Sequence, residues 1–132
     1  MEIDSSFGPV DMAVSGLRTQ SRNMQIISSN VANIRTTDAG KGTPYRRLEA
    51  VFKSDKEGGV EVDKIIEDMS EFPRILDPGN PDADEQGYVT MPNVDLPVEM
   101  MNLNIAARTY EANAAVLRRY QKMVETTLEL LR

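Results

Sequence analysis

Both ends of the chain repeat every seven residues. Val10, Leu17, Met24 and Val31 form one row, with Ala13, Gln20, Ile27 and Ile34 three residues further on. Near the other terminus the same alternation of three and four returns as Ala107, Tyr110, Ala114, Leu117, Gln121, Val124, Leu128 and Leu131. A row that recurs every 3.5 residues keeps its apolar atoms along one edge of a helix, and that edge requires a partner helix. The pattern predicts helices over residues 10–34 and 98–131, about 37 and 50 Å long at 1.5 Å per residue.

Helix breakers respect this division: six of the seven Pro and six of the eight Gly lie between residues 40 and 97. Pro9 suits a first helical turn with Ser5 or Ser6 as cap, and the second helix is expected to begin after Pro97 with Asp95 as cap. Between the helices, residues 45–53 and 59–66 have β-forming composition around the turn-rich run 54–59, which predicts a hairpin. A short strand is possible around residues 87–91. Residues 77–82 carry two Pro and a Gly and are expected to be loop. The fold class is mainly α with a small β insert. The divisions are a helix in 1–36, an acidic β/loop insert in 37–96 and a helix in 97–132, together one structural domain whose helices pack as a coiled-coil-like pair.

Composition narrows the chemistry. There is no Cys and no His among 132 residues, which removes thiol catalysis, disulfides, the usual zinc sites and imidazole acid–base chemistry. Only 5% of the residues are aromatic and none is Trp, little material for a thick core, so an elongated molecule is expected. The net charge of −6 arises in the middle: residues 37–96 carry fourteen acids against seven bases, while residues 1–36 hold three of each and 97–132 hold four acids and five bases. Nearly neutral ends around an acidic middle point to ends that meet protein and a middle that faces water. No basic stripe exists for nucleic acid, no run approaches the roughly 20 apolar residues of a membrane span, and the start of the chain is no cleavable secretory signal.

The second helix has more apolar surface than one partner can cover. Ile105, Ala112, Val116, Tyr120 and Met123 make a second stripe beside the heptad row, which points to assembly with further chains. Gln20 and Gln121 each place one amide in a row, either to fix register or simply to meet water.

The residues on these helices carry a family resemblance. Ser15-Gly16-Leu17 and Ser29-Asn30-Val31-Ala32-Asn33-Ile34-Arg35-Thr36, with Val98-Glu99-Met100-Met101 and Arg108-Thr109-Tyr110-Glu111-Ala112-Asn113, resemble the signatures of bacterial flagellar rod and hook proteins. In the middle, Pro44-Tyr45-Arg46-Arg47, residues 77–84, Gly87-Tyr88-Val89 and Met91-Pro92-Asn93-Val94 resemble the proximal rod members of that family. The resemblance implies a structural subunit of the basal-body rod that packs its terminal helices into a torque-bearing tube. It also implies self-association, other rod proteins, basal-body ring and export-gate proteins as partners, a periplasmic location without membrane insertion, and export through the flagellar type III apparatus. Early substrates of that apparatus can carry Phe followed four residues later by an apolar residue, but here Phe7 is followed by Asp11, so no export signal is assigned.

On this reading Leu17, Met24, Ile27 and Val31 supply one ridge of the assembly interface, and Leu103, Tyr110, Leu117, Val124 and Leu131 the other. Asn30, Asn33 and Asn113 hydrogen-bond backbone or neighbouring subunits, with a local helix cap at Asn33 as the alternative. Aspartate in place of Leu117 or Ile27 is expected to abolish motility. Eight Met help a surface adapt to unlike neighbours or simply fill a core. A free-standing coiled-coil adaptor is the alternative function. A calcium-binding module is a weaker one: Asp82, Asp84 and Gly87 match a calcium loop, but Gln86 and Asn93 occupy its fifth and twelfth positions. No cofactor, metal or catalytic residue is assigned, because runs such as Glu67-Asp68 read as solvated charge rather than an acid–base pair.

Overall fold

The computed structural model describes residues 8–132. Two helices, α1 (Pro9–Ala32) and α2 (Leu96–Leu130), flank four strands, β1 (Leu48–Ser54), β2 (Val60–Glu67), β3 (Arg74–Leu76) and β4 (Tyr88–Thr90). Mainly helical architecture with a small β insert is the fold class that the heptads and breakers predict.

Pro9 occupies the first turn of α1, where its missing N–H costs nothing, and the Gly8 N–H donates to the Asp11 carboxylate at 3.1 Å. Gly8 is therefore the N-cap. Ser5 and Ser6, expected as caps, and Phe7 lie outside the described residues. The helix stops two residues short of the expected end because Asn33 leaves helical geometry (φ −101°, ψ 13°) and caps the helix. Its side-chain amide donates to the Ser29 carbonyl at 2.8 Å, and the Thr36 hydroxyl donates back to Asn33 Oδ1 at 3.1 Å. In α2 the Asp95 carboxylate accepts from the Val98 N–H at 3.3 Å. That cap was expected, but Pro97 sits inside the first turn rather than before it, since a missing N–H is harmless there.

The helices run antiparallel. Gly16 on α1 lies against Asn113 on α2, and Asn30 further along α1 bonds Glu99 near the start of α2. A Cβ at Gly16 would come within 2.6–2.8 Å of the Asn113 side chain, so only glycine permits this approach. The close contact shifts the inward rows from the expected ones. On α1 the buried positions are Ala13, Gly16, Thr19, Ile26, Ile27 and Asn30, while Leu17, Met24 and Val31 are half-buried. On α2 they are Glu99 and Ala106, one residue before Ala107 of the expected row, while Leu103 and Leu117 are half-buried and Tyr110, Val124 and Leu131 are exposed. On α1 the expected row is kept in part, since Ala13 and Ile27 belong to it, whereas on α2 the buried Ala106 precedes the expected position by one residue.

β1 and β2 form an antiparallel hairpin close to the expected segments. Its register pairs Val51 with Lys64 and Phe52 with Val62, leaving Asp63 unmatched as a bulge. The turn is braced by Asp55, whose carboxylate accepts from the Glu57 and Gly59 N–H groups at 2.8 Å each, and Gly58 takes a left-handed φ of 93°. The Thr19 hydroxyl donates to the Val60 carbonyl at 2.9 Å and the Val60 N–H donates to Ser15 Oγ at 3.1 Å, which fastens β2 to α1. The inward face is Leu48, Ala50, Val60 and Val62; Glu49, Lys53 and Glu61 face water. β4 pairs with β3, a strand not expected from the sequence, and buries Val89.

Candidate functional site: a buried polar node and an uncovered helix face

Asn30 and Glu99 are both fully buried, and together with segments 45–48 and 93 they form one hydrogen-bonded cluster. Asn30 Nδ2 donates to the Leu48 carbonyl at 2.9 Å and to Glu99 Oε2 at 3.3 Å. Asn30 Oδ1 accepts from the Leu48 N–H and from the Tyr45 hydroxyl, each at 2.9 Å. All four positions of the amide are thus used, and towards Leu48 it replaces a neighbouring strand at the edge of β1. Arg47 Nε donates to Glu99 Oε1 in a close ion pair, with Asp68 at 3.6 Å and Glu49 at 3.8 Å from Nη1. The Arg47 N–H donates to Asn93 Oδ1 at 2.8 Å, and Asn93 Nδ2 donates to the Asp68 carbonyl at 2.8 Å. One cluster therefore binds α1, β1, the segment before α2, and α2 itself.

The electrostatics are those of a compensated pair. Burial works against the Arg47 charge, but the hydrogen bond and attraction of Glu99, backed by Glu49 and Asp68, outweigh it and raise the guanidinium above its ordinary value. Among the described residues no buried side-chain polar atom lacks a partner.

Three aspartates are held below the ordinary carboxylate value. The Ser70 backbone and hydroxyl hold Asp68 down, the Tyr88 N–H and Arg74 hold Asp84 down, and the Gly40 and Gly42 N–H groups do the same for Asp38. A lowered folded-state value means stability that is complete above the ordinary 3.8 and is lost as pH falls through the folded values. Urea midpoints are accordingly expected to fall below about pH 4, and less steeply in Asp68→Asn.

The second feature is an exposed face of α2 beside its contact with α1. Ile105, Val116, Tyr120 and Met123 of the second stripe are exposed, Met123 at 65%. From Arg118 onward every residue of α2 is exposed, and Leu128, Leu130 and Leu131 add further apolar surface at 58–81%. The Gly16–Asn113 crossing places Pro9 near residue 120, so about 15 Å of α2 projects past the described end of α1. A cleft of about 240 Å³ opens between α1, α2 and β1, walled by Gln20, Asn23, Ile27, Phe52, Ile105 and Ala106.

The residues expected at an assembly interface thus separate into three groups. Ile27 and Asn30 are buried within the subunit, and Asn33 is the cap of α1. Leu17, Met24, Val31, Leu103, Asn113 and Leu117 are half-buried along the helix pair, and Asn113 Nδ2 back-bonds to the Thr109 carbonyl at 3.1 Å. Tyr110, Val124 and Leu131 are open to solvent. Of the two seam amides, Gln121 is exposed and bonds Glu125, whereas Gln20 is half-buried at the cleft. Sequence reasoning missed Arg47 and Glu99 as a pair; the available signal was a single acid, Glu99, among Val98, Met100 and Met101. The acids of the calcium-like loop are engaged in bracing: Asp82 accepts from the Thr37 hydroxyl, and Asp84 accepts from the Gln86 and Tyr88 N–H groups and pairs with Arg74. Among the described residues no three acids converge as a metal site, and no helix is long and apolar enough to cross a membrane.

Known families match both helical ends. Residues 11–39 match the flagella basal body rod protein family, and residues 85–130 match the C-terminal family of flagellar basal body rod FlgEFG proteins. The flagellar basal-body rod protein FlgC of Salmonella typhimurium is 41% identical over 125 residues, covering 91% of this chain and 93% of that protein. FlgC of Agrobacterium fabrum is 42% identical over 127 residues, covering 92% and 91%, and FlgC of Bacillus subtilis 35% over 147 residues, covering 96% and 98%. With both helices and the insert between them aligned at this identity, the chain belongs to the FlgC family of flagellar basal-body rod proteins.

Proposed function

We propose that this chain builds the rod through the uncovered face of α2. As a FlgC family member it is a structural subunit of the flagellar basal body, which assembles with other rod and basal-body components. The observation that supports the finer reading is the exposed row Ile105, Val116, Tyr120 and Met123 together with the projecting end of α2. An apolar stripe of this length is covered in a working assembly, and a tube that bears torque gains more from interlocked side chains than from exposed ion pairs worth about 0–1 kcal/mol each.

In this reading residues 1–36 and 97–132 contribute to the wall of the tube, and residues 37–96 form its acidic outer part. Leu17, Met24, Val31, Leu103, Tyr110, Leu117, Val124 and Leu131 lie along or beside the contacts between subunits. Copies of the chain, other rod proteins, and ring and export-gate proteins are the partners, after export by the flagellar type III apparatus into the periplasmic space. The reading requires no cofactor and no catalytic step.

Met123→Asp tests it. The side chain is exposed in the subunit, so the variant is expected to keep the parent's melting temperature within about 2 °C. Cells carrying it are expected to make and export the protein but to lose swimming, with no basal bodies recovered beyond the ring. Normal swimming by Met123→Asp overturns the assignment of this face.

A further inference from the structure

The node Asn30–Arg47–Glu99 ties both helices to the insert by hydrogen bonds and an ion pair, and chain connectivity cannot do its work. Antiparallel helices joined by a short loop inherit their register from that loop. Here residues 34–94 separate the helices, which leaves the register free. The heptads do not choose it either, because a repeat every seven residues places apolar against apolar again after a slip of one heptad, about 10 Å along the axis. Such a slip brings Asn23, seven residues before Asn30, opposite Glu99, so even the amide–carboxylate bond is nearly reproduced. What the slip cannot reproduce is the link to the insert. Leu48 bonds Asn30 through both of its backbone groups, Tyr45 bonds the same amide, and Arg47 of the same segment holds Glu99.

We infer that the node is a register lock: it selects one of several near-equivalent heptad alignments of α1 on α2 by tying that alignment to β1, and it supplies specificity rather than net stability. The energetic premise is general. A buried ion pair with its amide returns roughly what its desolvation costs, so an apolar cluster of similar volume is neutral or stabilising, while the discrimination between alignments disappears. Gly16 against Asn113 favours the same alignment sterically, but it touches no part of the insert.

The chain has no cysteine, so nitroxide labels at Ser28→Cys on α1 and Arg108→Cys on α2, both exposed, report the register directly. Pulsed electron resonance is expected to give one distance in the parent. In Asn30→Leu/Arg47→Met/Glu99→Leu a second population is expected, displaced by an axial slip of about 10 Å, in a protein whose melting temperature is unchanged or higher. A single parental distance in this variant overturns the proposal, and so does a folded variant with a clearly lowered melting temperature. If the triple variant fails to fold, Asn30→Leu alone decides: it keeps the Arg47–Glu99 pair and frees Asn23 to compete. A second distance there supports the lock, and one distance refutes it.

Discussion

Arg47→Met is expected to lower the free energy of unfolding by about 3–5 kcal/mol, the cost of leaving the buried Glu99 carboxylate without its charged partner. Glu99 has no exposed surface, so once the guanidinium is gone its carboxylate keeps a weak bond from Asn30 and meets no water. The Asn93 contact survives, because it is made by the Arg47 backbone, and this isolates the effect to the charge. Set against the roughly 5–15 kcal/mol that holds a typical domain together, the loss removes about a fifth of the margin at the least. Urea titration of parent and variant measures it. Arg47→Lys is expected to recover part of the loss, since an ammonium keeps the charge but not the planar fork that spans Glu99, Glu49 and Asp68. A midpoint equal to the parent's in Arg47→Met contradicts the pairing described for the node.

Ile27→Asp is expected to cost as much by a different route. Ile27 is 4% exposed on the inward row of α1, and aspartate there both removes the packed side chain and places a carboxylate in an apolar wall. A loss of about 4 kcal/mol or more follows, with the site's carboxylate drawn towards protonation. The variant is expected to abolish motility, as the heptads alone suggest, but by unfolding the subunit rather than by spoiling a contact between subunits. Circular dichroism at 25 °C separates the cases. Ile27→Asp is expected to lose helix in the isolated chain, whereas Met123→Asp keeps it.

These contrasts show which parts of the molecule were legible in the sequence. Helices at the two ends follow from a repeat of 3.5 residues that no strand produces, and Asp95 and Pro9 mark their starts by local chemistry. The direction each helix faces did not follow. Leu17 and Tyr110 are larger and more apolar than Gly16 and Ala106, yet the small residues turn inward because they let the axes approach. Strand β3 was hidden because three residues between Pro73 and Asp77 carry no alternation to detect. Glu99 was hidden for a longer-range reason: a lone acid in a helix reads as solvent-facing, and its partners stand 52 and 69 residues away. The family motifs contained the residues of the node as short runs, without revealing that they meet.

The antiparallel pairing brings the end of α1 beside the start of α2, so residues 34–94 leave and re-enter the helix pair at neighbouring points. Segments that leave and re-enter a helix pair at neighbouring points form a closed excursion, and the entropy of closing one rises only by about 0.6 kcal/mol for each doubling of its length. The excursion can therefore grow, shrink or be exchanged at small cost, provided the residues that touch Asn30 and Glu99, and Val60 where it bonds Ser15 and Thr19, are kept. The helix pair behaves as a common handle, and the outer contour of a subunit becomes a property that can vary almost independently of the way it is gripped.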